Sequence, residues 1–275
     1  MPELPEVETV RRDLEPALRG RRIVTASVTR DRAVRRQPHD AFVAMLRARR
    51  IDGVRRHGKF LILDLDDDLA LVGHLRMSGQ LRIAQPSDAL VKHTHVVVDL
   101  DDGSQLRFVD PRTFGELFVD ELDSDGRPRS LAHLGPDALE RITAAAFHSL
   151  FVGTRNVKAV LLDQRIVAGI GNIYADEALF ASGLHPLRRV DSLSLTETAS
   201  LRGEMTRILR LAIKSRGTTF DDFAYVDAYG RRGRFTPKVY GRAGKRCASC
   251  STLIEKLVVA QRGTHVCPTC QPAAT

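Results

Sequence analysis

Cys247-x2-Cys250-x16-Cys267-x2-Cys270 constrains this chain more than any other feature. Each CxxC pair presents two thiolates from one tight turn, and two such pairs suit a tetrahedral zinc site. With all four positions filled by protein, the site is closed and structural, not catalytic. It predicts a finger in which Leu253, Ile254, Leu257, Val258 and Val259 form a β-hairpin between the pairs. Two disulfides, or free thiols, are the competing arrangement. All four cysteines lie in the last 29 residues, whereas a secreted disulfide framework scatters them more widely. We therefore expect a reducing cytoplasm. The pattern speaks strongly for zinc and weakly for function.

The arm around that site is basic. From Tyr229 to Arg262, nine Lys/Arg face a single acid, Glu255. The 275 residues together carry a formal +8, so the arm holds as much net charge as the whole chain. A solvated surface is the plain explanation. Charge this concentrated beside a zinc pattern favours nucleic acid instead, with strong salt dependence and no lesion specificity of its own. No apolar run approaches the roughly 20 residues of a membrane span. The acidic, proline-bearing start does not read as a secretory signal.

That start is Met1-Pro2-Glu3-Leu4-Pro5-Glu6-Val7-Glu8-Thr9. A small second residue lets Met1 be trimmed, leaving Pro2 as a secondary amine beside a carboxylate. Such an amine can attack a sugar carbon and form an iminium. Val7, Val10, Leu14 and Leu18 recur at helical spacing and predict an amphipathic helix over 5–18, with Pro5 in its first turn. Glu3, Glu6 and Glu8 lie at its positive end, which favours carboxylates and lowers the proton affinity of a nearby amine.

The length suits two domains, and the pattern predicts an α+β protein. Residues 1–125 read as short strands behind the leading helix, a sandwich or flattened barrel. Phe60 to Leu65 and Leu69 to Leu75 read as buried strands, and Asp101-Asp102-Gly103 as the turn of a hairpin. Residues 126–136 form a polar, turn-rich linker. Residues 137–223 read as helical, with Ser194-x-x-Glu197 as a capping box and Leu201, Met205, Ile208 and Ala212 on one apolar face. A Gly/Arg-rich loop spans 224–238, and the zinc arm 239–275.

Further motifs have plainer alternatives. Gly169-Ile170-Gly171-Asn172 lacks the third glycine of a dinucleotide fingerprint. It can aim backbone N–H groups and the Asn172 amide at a phosphate, or be an ordinary helix–helix turn. Arg112 and Phe114, in Asp110-Pro111-Arg112-Thr113-Phe114-Gly115, could probe a base stack as donor and wedge, although Phe114 alone reads as core. Met77, in His74-Leu75-Arg76-Met77-Ser78-Gly79, alone reads as core filler. A lone Lys59 reads as solvated. His93 and His95 precede a strand, and alternation puts them on one face.

Taken together these segments resemble the formamidopyrimidine-DNA glycosylase family, nearly end to end. The Pro-Glu-Leu-Pro-Glu-Val-Glu-Thr start and the run from Gly169 through Ala178 are its most specific parts. The resemblance implies an N-terminal β-sandwich, then a helix–two-turn–helix domain with a zinc-finger β-hairpin, and DNA in the cleft between them. It implies removal of oxidised purines such as 8-oxoguanine and formamidopyrimidines, then strand cleavage at the abasic site. On this resemblance Pro2 is the nucleophile, Glu3 the general acid at the sugar ring oxygen, and Glu6 a support of the same site. Lys59 contacts the phosphate at the lesion. Met77, Arg112 and Phe114 fill the gap left by the flipped base, with Arg112 facing the orphaned cytosine. His93, Asn172 and Arg262 bind phosphates, Lys158 lies near the oxidised base, and the 224–238 loop caps the lesion. Cys247, Cys250, Cys267 and Cys270 hold one structural Zn2+, and the chemistry needs no other cofactor. The expected partner is double-stranded DNA carrying damaged bases, met by a monomer at the bacterial nucleoid.

Two departures stand out. Arg76 occupies a position where family members often have glycine, and Arg216-Gly217 replaces a Gly-Gly. Competing functions are an endonuclease VIII-like glycosylase for oxidised pyrimidines and a non-catalytic zinc protein that binds damaged DNA. Leu4 and the Asp110 to Gly115 loop favour the purine enzyme over the first. Pro2, Glu3, Glu6 and Lys59 argue against the second, since binding alone needs no amino-terminal proline.

Overall fold

The computed structural model describes residues 2–220 and 225–273. The chain divides into two compact units, Met1–His133 with Ile213–Phe235, and Leu134–Ala212 with Thr236–Thr275.

The first unit opens with helix α1 (Leu4–Leu18), which has proline in its first turn. Leu4, Val7, Val10, Leu14 and Leu18 are fully buried, as an apolar stripe of helical period requires. After it come β1 (Ile23–Val28), α2 (His39–Leu46), β2 (Ile51–His57), β3 (Phe60–Leu65), β4 (Leu69–His74), β5 (Gln80–Ala84), β6 (Thr94–Leu100), β7 (Gln105–Val109) and β8 (Glu116–Glu121). They form two antiparallel four-stranded sheets, ordered β1-β6-β7-β5 and β2-β3-β4-β8. Ala26, Val98 and Phe108 from one sheet meet Leu63, Leu71 and Val119 from the other in one core, which α1 joins. This is the expected sandwich behind a leading helix. The β6–β7 turn carries Gly103 at φ +82°.

Helix α2 lies inside the stretch read as β. It packs by Phe42 and Leu46, both fully buried. Its residues 41–46 are apolar without a break, and such a short run does not distinguish a helix from a buried strand.

The second unit contains α3 (Ala144–His148), α4 (Val157–Leu162), α5 (Asn172–Ala181), most of α6 (Leu195–Lys214), and the hairpin β9 (Glu255–Val259) and β10 (Arg262–Val266). Its helices are shorter and more interrupted than the helical reading of 137–223 implies. Helix α6 starts at the expected capping box: the Ser194 N–H donates to Glu197 at 2.8 Å, and the Glu197 N–H donates to the Ser194 hydroxyl at 3.2 Å. Leu201, Met205, Ile208 and Ala212 are buried along it. Beyond it Arg216 and Gly217 both adopt left-handed φ, +62° and +82°, and the chain rejoins the first unit. Among the described residues no helix is long and apolar enough to cross a membrane.

Candidate functional site

The candidate residues fall into two sets, one on each unit. In the first unit the amino terminus is held by a buried carboxylate. Pro2 and Glu3 are buried at the head of α1. Glu6, one turn on, accepts the Glu3 N–H at 2.9 Å on one oxygen and the Thr218 N–H at 2.7 Å on the other. The Tyr225 hydroxyl donates to the Glu6 carbonyl at 3.2 Å. Glu6 thus joins the start of the chain to a segment more than 200 residues away. Gly217 makes the approach possible: a Cβ there would sit 2.8 Å from the Glu6 side chain, and its φ is +82°. Further along α1, Arg216 and Arg231 bind both Asp13 and Asp227. Asp13, Thr218 and Tyr225 carried no sequence signal, because their partners are remote in the chain. Met1 and residues 221–224, the latter including the first residue of the expected capping loop, lie outside the described residues.

Lys59 sits in the turn of the β2–β3 hairpin, where His57 pairs with Phe60. It is buried, 8% exposed, contrary to the solvated reading of a lone lysine. The turn is tied to α1 through Arg56, which donates to the Gly58 carbonyl at 2.8 Å and pairs with Glu8 at 3.2 Å. Burial alone would raise the Glu8 carboxyl, but Arg11, Arg12 and Arg56 outweigh it and hold it below the usual carboxylate range. His74, packed edge-on against Phe60, is pushed well below the ordinary imidazole value. Burial is the main cause, and Arg76 and Lys59 add to it. The neutral ring accepts the Arg76 N–H on Nδ1 at 2.9 Å, which leaves its hydrogen on Nε2.

Met77, Arg112 and Phe114 sit on two adjacent loops. Asp110 pins the loops together, accepting the Ser78 hydroxyl at 2.5 Å and the Gly115 N–H at 2.7 Å. The Ser78 hydroxyl in turn accepts the Arg112 N–H at 3.1 Å. Phe114 is 40% exposed, so it is not the core residue its apolar side chain suggests. Met77 is half-buried and Arg112 exposed. His93 is half-buried and lies just before β6 with φ +70°. Although it precedes the strand, its ring lies edge-to-face with that of His95, centroids 6.3 Å apart, so the two histidines do share one face. His95 is buried on the Asp110 carbonyl, and the His93 carbonyl accepts the Asp110 N–H at 3.0 Å, so both histidines brace the same loop. Ser78 and Asp110 lie inside quoted motifs but had no assigned role.

In the second unit Asn172 opens α5 and donates to the Gly263 carbonyl at 2.9 Å. This draws the exposed Arg262, first residue of β10, toward the same helix start. An amide NH2 carries two hydrogens, and this contact uses one of them. Lys158 departs from the expected DNA contact. It is fully buried, its Nζ donating to Asp176 at 2.6 Å and to the Thr264 hydroxyl at 2.7 Å. A cation this enclosed is retained by its carboxylate, so Lys158 braces the finger inside its own unit. Asp176 also accepts the His265 N–H at 2.9 Å. Glu177 accepts three successive N–H groups, of Lys238, Val239 and Tyr240, at 2.8 to 2.9 Å. Burial still leaves Glu177 raised above its ordinary value.

The four cysteine sulfurs lie within 4.8 Å of one another. The shortest separations, 3.4 Å for Cys250–Cys267 and 3.9 Å for Cys247–Cys270, exclude disulfides. They bracket the roughly 3.8 Å edge of a tetrahedron with zinc–sulfur bonds of about 2.3 Å. Burial and the neighbouring sulfurs push Cys270 up to about 12; a dication at the centre offsets that cost by binding thiolate. The donor set is that of one structural zinc.

The N-terminal domain model of formamidopyrimidine-DNA glycosylase matches residues 1–117, the helix–two-turn–helix domain model of the same enzyme 134–224, and the zinc finger model shared with isoleucyl-tRNA synthetase 244–273. This chain belongs to the formamidopyrimidine-DNA glycosylase family. The formamidopyrimidine-DNA glycosylase of Symbiobacterium thermophilum is 44% identical over 276 residues, covering 99% of this chain and 90% of the relative. That of Herpetosiphon aurantiacus is 44% identical, covering 98% and 100%. Among solved structures, MutM in complex with carbocyclic 8-oxo-G containing DNA matches at TM-score 0.88 and 34% identity, covering 99% of this chain and 100% of that one. Wild-type Lactococcus lactis Fpg with DNA containing an oxidised pyrimidine matches at 0.85 and 33%, with the same coverage.

Proposed function

We propose that this chain removes 8-oxoguanine and formamidopyrimidines from double-stranded DNA and then cleaves the strand by β,δ-elimination. The observation that carries this reading is the Glu6 carboxylate. Held by the N–H groups of Glu3 and Thr218, it fixes Pro2 and Glu3 at the head of α1, where the macrodipole favours a neutral amine. Relatives that act on or are bound to such DNA support the substrate class.

The target carbon is buried in the duplex, so the nucleotide must leave the stack. Phe114, Met77 and Arg112 would occupy the gap, and Lys59, His93, Asn172 and Arg262 would grip phosphates. Pro2 nitrogen bonds to C1′ as the bond from C1′ to the base breaks, and the departing base takes the proton that the alkylated nitrogen sheds. Glu3 protonates the ring oxygen, the sugar opens, and the nitrogen becomes an iminium. That cation acidifies C2′. Loss of its proton expels the 3′ phosphate, a second elimination expels the 5′ phosphate, and water releases the amine. Zinc shapes the finger and takes no part. The 224–238 segment is assigned to capping the extruded base.

Borohydride trapping on a duplex with 8-oxoguanine opposite cytosine, followed by peptide mapping, tests the reading. We expect the adduct on Pro2. Pro2→Gly should lose base release and keep DNA binding; unchanged base release in that variant would sink the mechanism. The structure with an oxidised pyrimidine motivates a second substrate arm, in which faster release of an oxidised pyrimidine would favour the endonuclease VIII-like reading. Supported by its basic arm, we place the enzyme at the bacterial nucleoid, and a fluorescent fusion excluded from DNA would argue against that.

A further inference from the structure

Beneath the two wedge loops lies a charge cluster with no assigned role. Glu116, at the start of β8, is only 3% exposed. Three guanidinium groups converge on it. Arg36 binds both carboxylate oxygens at 3.1 Å, Arg35 approaches to 3.3 Å, and Arg76 to 3.4 Å. Arg36 also stacks on the Phe118 ring at 3.7 Å. Arg35 does something further: its Nη2 donates to the Phe114 carbonyl at 3.2 Å. One planar fork therefore spans a buried carboxylate and the main chain of the exposed wedge. Two more guanidinium groups approach the Phe114 ring, Arg112 at 5.4 Å and Arg32 at 5.7 Å from its centroid. Burial would raise the Glu116 carboxyl, but the arginines outweigh it and keep it ionised.

We propose that Glu116, acting through Arg35, is the positioning residue that presents Phe114 for insertion into the base stack. The inference rests on the function proposed above. A wedge must enter a stack that resists it by a few kcal/mol per step, so a side chain on a loose loop would yield before the duplex did. Asp110 accepts the Gly115 N–H and Arg35 donates to the Phe114 carbonyl, so the one peptide group that follows the wedge residue is clamped at both its donor and its acceptor. Only a fork can serve both acceptors in one plane; a lysine supplies the charge without the geometry. Arg76 adds a third cation from the Met77 loop, so one carboxylate anchors both wedge-bearing loops.

The test follows wedge entry and base release separately on full-length protein. The duplex carries 8-oxoguanine opposite cytosine, with 2-aminopurine beside that cytosine to report unstacking. Wild type should give a fluorescence rise followed by base release; no base release from any oxidised purine would overturn the proposed function, not this inference. Glu116→Gln, Arg35→Gln and Arg35→Lys should each slow the fluorescence rise about ten-fold, the kinetic equivalent of losing one charge-assisted hydrogen bond. The salt dependence of DNA affinity should stay unchanged in Arg35→Gln. Arg35 is exposed, so its variants remain informative should Glu116→Gln melt early. Wild-type insertion rates in the Arg35 variants would overturn the proposal. So would full rescue by Arg35→Lys, or a salt slope lower by about one with insertion intact, which marks a plain phosphate contact.

Discussion

The amino-terminal site and the zinc arm are built in opposite ways. In the arm the four ligands lie within 24 residues and assemble from two tight turns and one hairpin. At the amino terminus the partners of Glu6 are Glu3, three residues away, and Thr218, 212 residues away. The arm can be read from spacing because its geometry is local and its energy comes from a metal. The other site depends on the chain returning to α1 after crossing a second unit, and no spacing records that return.

Zinc removal gives the largest expected effect. Chelation, or Cys250→Ser, should melt the arm, because about 10–16 kcal/mol of metal binding is the folding energy of such a finger. DNA affinity should collapse while the first unit keeps its cooperative melt; joint unfolding of both would erase the contrast. Next comes the Lys158 brace. Asp176→Ala leaves a buried cation unpaired and should cost about 3–5 kcal/mol in denaturant unfolding. Lys158→Met in the same background should recover most of it. No recovery would mean that Asp176 acts through His265 instead. The smallest effect belongs to the long-range contact. Gly217→Ala forces a Cβ against Glu6 at a left-handed φ and should cost roughly 1–3 kcal/mol. Base release should fall more than DNA binding does, because the displaced Thr218 N–H no longer holds Glu6. Equal losses in both would show that the returning segment matters only for folding.

Periodicity and motif carried much of the molecule. The apolar stripe of α1, the β6–β7 hairpin, the Ser194 capping box and the zinc ligands each state their structure within a few residues. Helix α2 did not, for its apolar residues run on without the polar breaks that set a period. The motifs also marked where chemistry lies without saying how each residue serves it. Lys59 and Lys158 look alike in sequence, each a single lysine between apolar neighbours. One sits in a hairpin turn tied to α1, and the other is enclosed behind Asp176 and Thr264.

By itself the sequence determined the family, the leading helix, the metal site and the residue types available for iminium chemistry, because those follow from local spacing and side-chain reactivity. Tertiary structure alone decided that Glu6 is held by Thr218, that Lys158 faces inward, and that Glu116 gathers arginines from 40 and 80 residues away beneath Phe114. The physical reason is common to all three. A buried charge must find its partner in space, and the fold, not the order of residues, chooses which partner is near.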